Sequence, residues 1–268
     1  MKKFGFIFLV VISQLVSAQT DSCTLYFEKW ALESEYVQAK REYWVALPPK
    51  FDPKKQYPVL YVLDAETRFS TVQLLMVDRF LTKKGKPHIV VGIPNASWVQ
   101  RSIDFTYGTS TVRPDGGKMP KNRNNKTITG GADAFFQFIN TELMPTIDRK
   151  YSTSGHNTLI GHSYGGLFAT YVLLKAHRFQ QFIILDPSAW YNQGEICAKL
   201  KNDFTVAKAF DVFVAYHTDT KYHCGKVEDL VSVLRKFSTV TLSVKSYPKE
   251  NHSSMYLPAL LDAISHLR

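Results

Sequence analysis

Gly161-His162-Ser163-Tyr164-Gly165-Gly166 is the segment of this chain best suited to chemistry. It fits the pattern G-x-S-x-G, in which a serine sits on a sharp turn between a strand and a helix. Glycines two positions to either side let the two backbones approach closely. Apolar Thr158-Leu159-Ile160 runs into the turn and an amphipathic stretch from Leu167 runs out of it, so Ser163 is the candidate nucleophile. A serine hydroxyl is a weak nucleophile until a base takes its proton. Five histidines lie downstream: His177, His217, His223, His252 and His266. His177 falls within the helical stretch after the turn, and His266 lies in the last helical turn, where a cation suits the helix dipole. His252 directly follows the last strand pattern, in Lys249-Glu250-Asn251-His252-Ser253-Ser254, and is the candidate base. A carboxylate must orient that imidazole. Asp219 and Asp186 each follow an apolar strand; Asp219 is the preferred acid, Asp186 the alternative, and Glu228 a weaker third. A tetrahedral oxyanion needs two backbone donors, here the amides of Tyr164 and Ala65. Trp190, in the loop after a strand, is a candidate pocket wall. His217-x-Asp219-x-x-x-His223-Cys224 has metal-binding residue types, but its spacing matches no common site. No metal and no cofactor are expected.

These groups need a scaffold that gathers strand ends. From about 24 to 47 the sequence alternates like two antiparallel strands. Tyr57–Leu63, His88–Ile93, Thr158–Ile160, Phe182–Leu185, Val212–Ala215 and Val240–Tyr247 are short, nearly all-apolar runs, as in strands buried on both faces. Helical patterns lie between them, near 69–84, 132–149, 164–178, 226–237 and 256–267. Strands alternating with helices predict an α/β fold: a mostly parallel sheet with helices on both faces and a hairpin at one edge. Functional groups of such sheets gather at the carboxyl ends of the strands. Residues 95–131 have no strong period and carry Pro, Gly and Asn clusters, which predicts a long functional loop. Its stretch from Arg113 to Lys126 holds five basic residues (Arg113, Lys118, Lys121, Arg123, Lys126) and one acid, Asp115.

The 268 residues carry a formal net charge of +10, and 31 basic against 23 acidic groups remain without Lys2 and Lys3. Such a charge favours anionic small-molecule partners through its long-range field. No zinc-finger or RNA-binding signature accompanies it, so nucleic acid is not an expected partner. Met1-Lys2-Lys3, the apolar run Phe4–Ile12 and Val16-Ser17-Ala18 read as a signal peptide over 1–18. That reading places a catalytic domain at 19–268 and the protein in the periplasm or outside the cell. Nine apolar residues fall well short of the roughly 20 that span a bilayer, so stable membrane insertion is not expected. Of the three cysteines, Cys23, Cys197 and Cys224, an oxidising compartment permits a bridge between Cys197 and Cys224, the alternative being three separate thiols.

Several segments together carry a resemblance: Tyr57-Pro58-Val59-Leu60-Tyr61-Val62-Leu63-Asp64, Val91-Gly92-Ile93-Pro94-Asn95, Arg101-Ser102-Ile103-Asp104-Phe105-Thr106, Gly130-Gly131-Ala132-Asp133, Gly161 to Gly166, Asp186-Pro187-Ser188-Ala189-Trp190 and Glu250-Asn251-His252. Over roughly 35–268 the chain resembles the putative-esterase family of α/β-hydrolases, and looks most like its siderophore (enterobactin-type) esterase branch. The resemblance implies an α/β-hydrolase fold, nucleophile Ser163, base His252, an acid near Asp219, and Arg101 as a close substrate contact. Three positions depart from the family pattern. Ala65 stands where glycine is frequent, Tyr107 where proline commonly follows, and His217-Thr218-Asp219 where a plain turn with glycine and an acid is usual, which leaves the acid open. The expected function is a serine hydrolase that cleaves carboxylic esters through an acyl-enzyme with a Ser-His-Asp triad. The alternatives are a non-catalytic binding protein on the same fold and a small-peptide hydrolase.

Overall fold

A strand that is apolar on both sides must be covered on both sides, and that requirement organises the molecule. The computed structural model describes residues 25–112, 117–119, 121, 128–205, 208–219 and 221–267, without the side chains of 221, 222 and 224. The signal-peptide segment, Cys23, the Cys224 side chain, and Arg113, Arg123 and Lys126 lie outside these residues. Cys197 is a free, buried thiol, and burial pushes its pKa up to about 11.

Eight strands form one sheet in the order β1-β2-β4-β3-β5-β6-β7-β8. They are β1 (Glu28–Ser34), β2 (Ala39–Ala46), β3 (Tyr57–Leu63), β4 (Ile89–Ile93), β5 (Thr153–His162), β6 (Gln181–Leu185), β7 (Phe210–His217) and β8 (Val240–Tyr247). β1 and β2 form the antiparallel edge hairpin, β2 runs antiparallel to β4, and all other pairings are parallel. Side chains on β3 alternate between two cores. Val59, Tyr61 and Leu63 join one, and Leu60 and Val62 the other. The first core is closed by α3 (Ala132–Gln137), α4 (Met144–Lys150), α5 (Tyr164–Val172), α6 (Glu195–Asp203) and α7 (Lys221–Leu234). The second is closed by α1 (Ala65–Leu81) and α8 (Tyr256–Ser265).

Three departures from the sequence reading have local causes. The stretch expected to be one helix over 132–149 widens into a π turn at Phe138–Leu143 between α3 and α4. Pro145 supplies no amide there and cannot continue the ordinary ladder. The aperiodic segment contains an eight-residue helix, α2 (Trp98–Phe105), capped by Ser97, whose hydroxyl accepts the Gln100 amide at 3.0 Å. Helix α6 follows Gly194, whose φ of +82° suits glycine.

His88 enters β4 with 4% of its surface exposed. Its Nδ1 donates to the Lys86 carbonyl at 2.8 Å, and burial lowers its pKa to about 4. An unfolded histidine titrates near 6.5, so between pH 6.5 and 4 the unfolded chain binds the extra proton. Stability must therefore fall as pH drops through that window, by about 3 kcal/mol from this residue at full effect. Urea unfolding at pH 7 and pH 4 should show wild type losing about that much more than His88→Leu. An identical loss in both proteins would contradict the assignment.

Candidate active site

Each parallel strand delivers a polar group at its carboxyl end. Asp64 follows β3, Asn95 lies just past β4, Ser163 follows β5, Asp186 follows β6, His217 ends β7 and His252 comes after β8. Ser163 takes φ 61° and ψ −121°, a backbone conformation that costs a non-glycine residue energy and persists only when its surroundings enforce it. The neighbours that enforce it are glycines. A Cβ at Gly161 would lie 2.2 Å from the Gly165 carbonyl oxygen, and one at Gly166 would lie 3.0 Å from Pro187 Cα. The Ser163 amide donates to the Leu185 carbonyl at 3.1 Å, and its own carbonyl accepts the Ser188 amide at 3.0 Å. The loop after β6 thus clamps the serine on both sides. Ser163 Oγ lies 3.5 Å from Ser188 Oγ.

Asp186 is fully buried, also at positive φ (45°). One carboxylate oxygen accepts the His217 amide at 3.1 Å and His223 Nε2 at 2.9 Å. The other accepts His217 Nδ1 at 2.6 Å and His252 Nδ1. Burial, the largest influence, acts to raise its pKa. The hydrogen bonds from His223 and His252 outweigh it and hold the carboxyl well below the usual carboxylate range. The expected acid, Asp219, stands elsewhere: its Oδ1 meets His217 Nε2 at 2.5 Å, and the acid against His252 is Asp186. The reason is register. Parallel pairing sets Leu185 beside Ala215, so β6 ends at the level where β7 has two residues left, and Asp219 is carried to the outer side of His217.

His252 is held from its other flank by His162. The two rings stack at 4.7 Å, and His162 Nε2 donates to the His252 carbonyl at 2.9 Å. Arg68 Nη2 lies 3.3 Å from His162 Nδ1. Burial, with the charges of His252 and Arg68, lowers the His162 pKa to about 4. That is the neutral form this bonding requires, with Nδ1 accepting and Nε2 donating.

Trp98, Arg101, Ser163, Tyr164, Ser188, Trp190, His217, His223 and His252 line an open cleft of about 420 Å³. Arg101 makes a two-pronged ion pair with Asp64, Nε to Oδ1 at 2.6 Å and Nη2 to Oδ2 at 2.8 Å. Asn95 also donates to Asp64, at 2.6 Å. Burial opposes the Arg101 charge, but the Asp64 bonds raise its pKa above the ordinary value. Three residues along the same helix, Asp104 is buried against Arg41. Helix α2 is therefore pinned by ion pairs at its middle and near its C-terminal end. Tyr164 opens α5, where amides lack intrahelical acceptors, and its ring packs 5.8 Å from Trp190. Ala65 opens α1 after the left-handed Asp64, but it is 2% exposed, its side chain packs against Gly92 of β4, and it is not among the residues that line the cleft. Sequence reasoning missed Trp98, Ser188 and the contacts of His162, and it raised His217 and His223 as metal-binding residue types without placing them against Asp186. The position of His162 between Gly161 and Ser163 was the signal for one of them.

Comparison with known proteins places this geometry among relatives. The family described as Putative esterase matches residues 34–209, which is 176 of the 268 residues. Ferri-bacillibactin esterase BesA of Bacillus subtilis (strain 168) is 35% identical over 205 residues, 69% of this chain and 68% of the relative. An IroE-like serine hydrolase from Shewanella oneidensis superimposes with a TM-score of 0.79 at 31% identity, covering 90% of this chain and 79% of that one. The BES protein from Bacillus cereus gives a TM-score of 0.76 at 27% identity, with 90% and 96% covered.

The packing at the turn makes Gly161 testable apart from any activity. Gly161→Ala should cost on the order of 3 kcal/mol or more, because the clash is with backbone that cannot relax. Gly155, at φ +75° with nothing within 4 Å of where a methyl group would stand, should lose only about 1 kcal/mol as Ala, the left-handed penalty alone. Equal losses in urea unfolding would contradict the account of the turn.

Proposed function

The chain belongs to the Putative esterase family, and from that premise we propose that it is a serine hydrolase cleaving carboxylic esters through an acyl-enzyme on Ser163. In this reading His252 Nε2 takes the hydroxyl proton as Ser163 Oγ attacks the ester carbonyl. The proton then passes to the leaving alcohol, and a water molecule repeats the sequence to free the acid. Asp186, rather than Asp219, keeps the proton on His252 Nδ1 so that Nε2 faces the cleft with its lone pair. The Tyr164 amide is the first oxyanion donor, with the Ala65 amide proposed as the second. The observation that carries the reading is the pairing of His252 Nδ1 with a fully buried carboxylate, in the cleft that exposes a strained Ser163.

The proposed substrate class is an anionic siderophore ester. The name of the Bacillus subtilis relative supports it, as does a cleft with Arg101 on one side and Trp98 and Trp190 around it. Arg101 and the long-range field of the chain without residues 1–18, with 31 basic against 23 acidic groups, would draw a polyanion in. Residues 1–18 support a place in the periplasm or outside the cell.

Two experiments test this. Ser163→Ala and His252→Ala should each lower ester turnover by roughly 10⁴–10⁶-fold. Asp186→Asn should lower it by roughly 10²–10⁴-fold by forcing the wrong imidazole tautomer, and Asp219→Asn by less than about 10-fold. Full activity in Ser163→Ala would overturn the mechanism, and the reverse ranking of the aspartates would move the acid to Asp219. For the substrate class, kcat/KM for a ferric catecholate siderophore should fall steeply with rising salt while that for a neutral aryl ester stays flat. Parallel responses would remove the anionic substrate from the reading.

A further inference from the structure

A serine hydrolase needs one histidine beside its acid, yet Asp186 has three. His217 and His223 are 4% and 6% exposed, and proton transfer at Ser163 gives neither a task. The ligand atoms of Asp186, His217, His223 and His252 all lie within 4.8 Å of one another. They come from three separate places in the chain: the end of β6, the end of β7 with the start of α7, and the loop after β8. The three rings surround one carboxylate, His217 and His223 stacked at 4.6 Å and each about edge-on to His252, at 5.9 and 6.0 Å.

We propose that Asp186, His217, His223 and His252 form a binding site for a divalent transition metal of the zinc class, and that its occupancy switches the hydrolase off. Three imidazoles and a carboxylate are a common tetrahedral donor set for zinc, and nitrogen-rich ligands disfavour calcium and magnesium. Tetrahedral bonds of about 2.0–2.1 Å separate the ligand atoms by about 3.3 Å, so the widest pairs, up to 4.8 Å apart, need to close by up to about 1.5 Å and the Asp186–histidine contacts need to open by about 0.5 Å. The outer shell is in place. Metal-bound histidines characteristically donate their second ring N–H to a carboxylate, and His217 Nε2 already meets Asp219 Oδ1 at 2.5 Å. The Asp186 carboxylate is oriented by the His217 amide at 3.1 Å. The carboxylate of Asp186 within the cluster and that of Asp219 beside it favour a cation. The His252 side chain, 42% exposed at the cleft, gives an aqueous ion its way in.

Inhibition follows from the tautomer and rests on the proposed function of Ser163 and His252. Catalysis needs the proton on His252 Nδ1 and the lone pair on Nε2. A metal at Nδ1 takes the lone pair there, and the proton moves through solvent to Nε2. Nε2–H then faces the cleft and cannot accept the Ser163 proton. The ion sheds waters to solvent as it enters, and His217, which bonds carboxylates through both ring nitrogens, releases its Nδ1 proton to solvent so that Nδ1 can ligate while Nε2–H stays on Asp219. Metal and turnover therefore exclude each other at one nitrogen.

The site and the switch are tested separately. Zinc chloride titrated into the metal-stripped whole protein, read by calorimetry and by competition with a chromogenic chelator, should bind at one ion per chain with micromolar or tighter affinity. Ser163→Ala should bind equally well, which makes this readout independent of any hydrolysis. His223→Gln should weaken binding by more than 100-fold and Asp219→Asn by roughly 10–100-fold. Cobalt in place of zinc should give the visible absorption of a tetrahedral nitrogen–oxygen site. Zinc should abolish ester turnover in wild type, and a chelator should restore it. In Asp219→Asn, measured against that variant's own metal-free turnover, the inhibiting concentration should rise with the loss of affinity. No saturable 1:1 binding below about 100 μM, or binding indifferent to His223→Gln, would overturn the site. Tight binding at these residues with undiminished turnover would overturn the switch alone. Absent turnover in the metal-free wild type would count against the proposed function and leave the binding result standing.

Discussion

Taking a carboxylate wholly out of water costs several kcal/mol unless its lone pairs are met by donors of good geometry. Asp186 is at that limit, with no exposed surface. Four donors meet its two oxygens: three imidazole nitrogens and the His217 amide. Those donors belong to segments far apart in sequence, so satisfying one carboxylate fixes the end of β7, the first turn of α7 and the loop after β8 relative to β6. Removing such an acceptor would leave three inward-facing ring nitrogens without their acceptor, a state that buried networks tolerate poorly.

The nucleophile turn is tied to the same place. The carbonyl of Leu185, immediately before Asp186, accepts the Ser163 amide, and the amide of Ser188, two residues after it, donates to the Ser163 carbonyl. His162 closes the circuit by donating from the residue before Ser163 to the carbonyl of His252. Ser163, Asp186 and His252 are thus mutually positioned through backbone bonds as well as side chains. That rigidity supports a strained serine backbone without help from the mobile groups of a substrate.

How much of this was legible in the sequence depended on whether the determining signal was local. The strands were legible because β3, β4, β6, most of β7 and the Thr158–Ile160 part of β5 are buried on both faces and so nearly all apolar, and the edge hairpin because it alternates. Ser163 was legible from glycines that only a tight turn explains, and the position of His252 from the strand directly before it. Choosing between Asp186 and Asp219 was not a local question. Both follow a strand, and the choice rests on how far β7 extends past β6 at the sheet edge, which pairing register decides. Helix α2 was hidden because one face of it is held by ion pairs, Arg101 to Asp64 and Asp104 to Arg41, so apolar periodicity did not mark it. Its Ser97 cap, three residues before Gln100, was the available clue.

The central claim is that Asp186 holds a proton on His252 Nδ1. Nitrogen-15 histidine spectra of the metal-free protein report it directly, through the ring tautomer and through a far-downfield proton on that nitrogen. The account predicts the Nδ1–H form of His252 with such a proton in wild type and in Asp219→Asn, and its loss in Asp186→Asn. An Nε2–H form in wild type, or a downfield signal that survives Asp186→Asn and vanishes in Asp219→Asn, would contradict it.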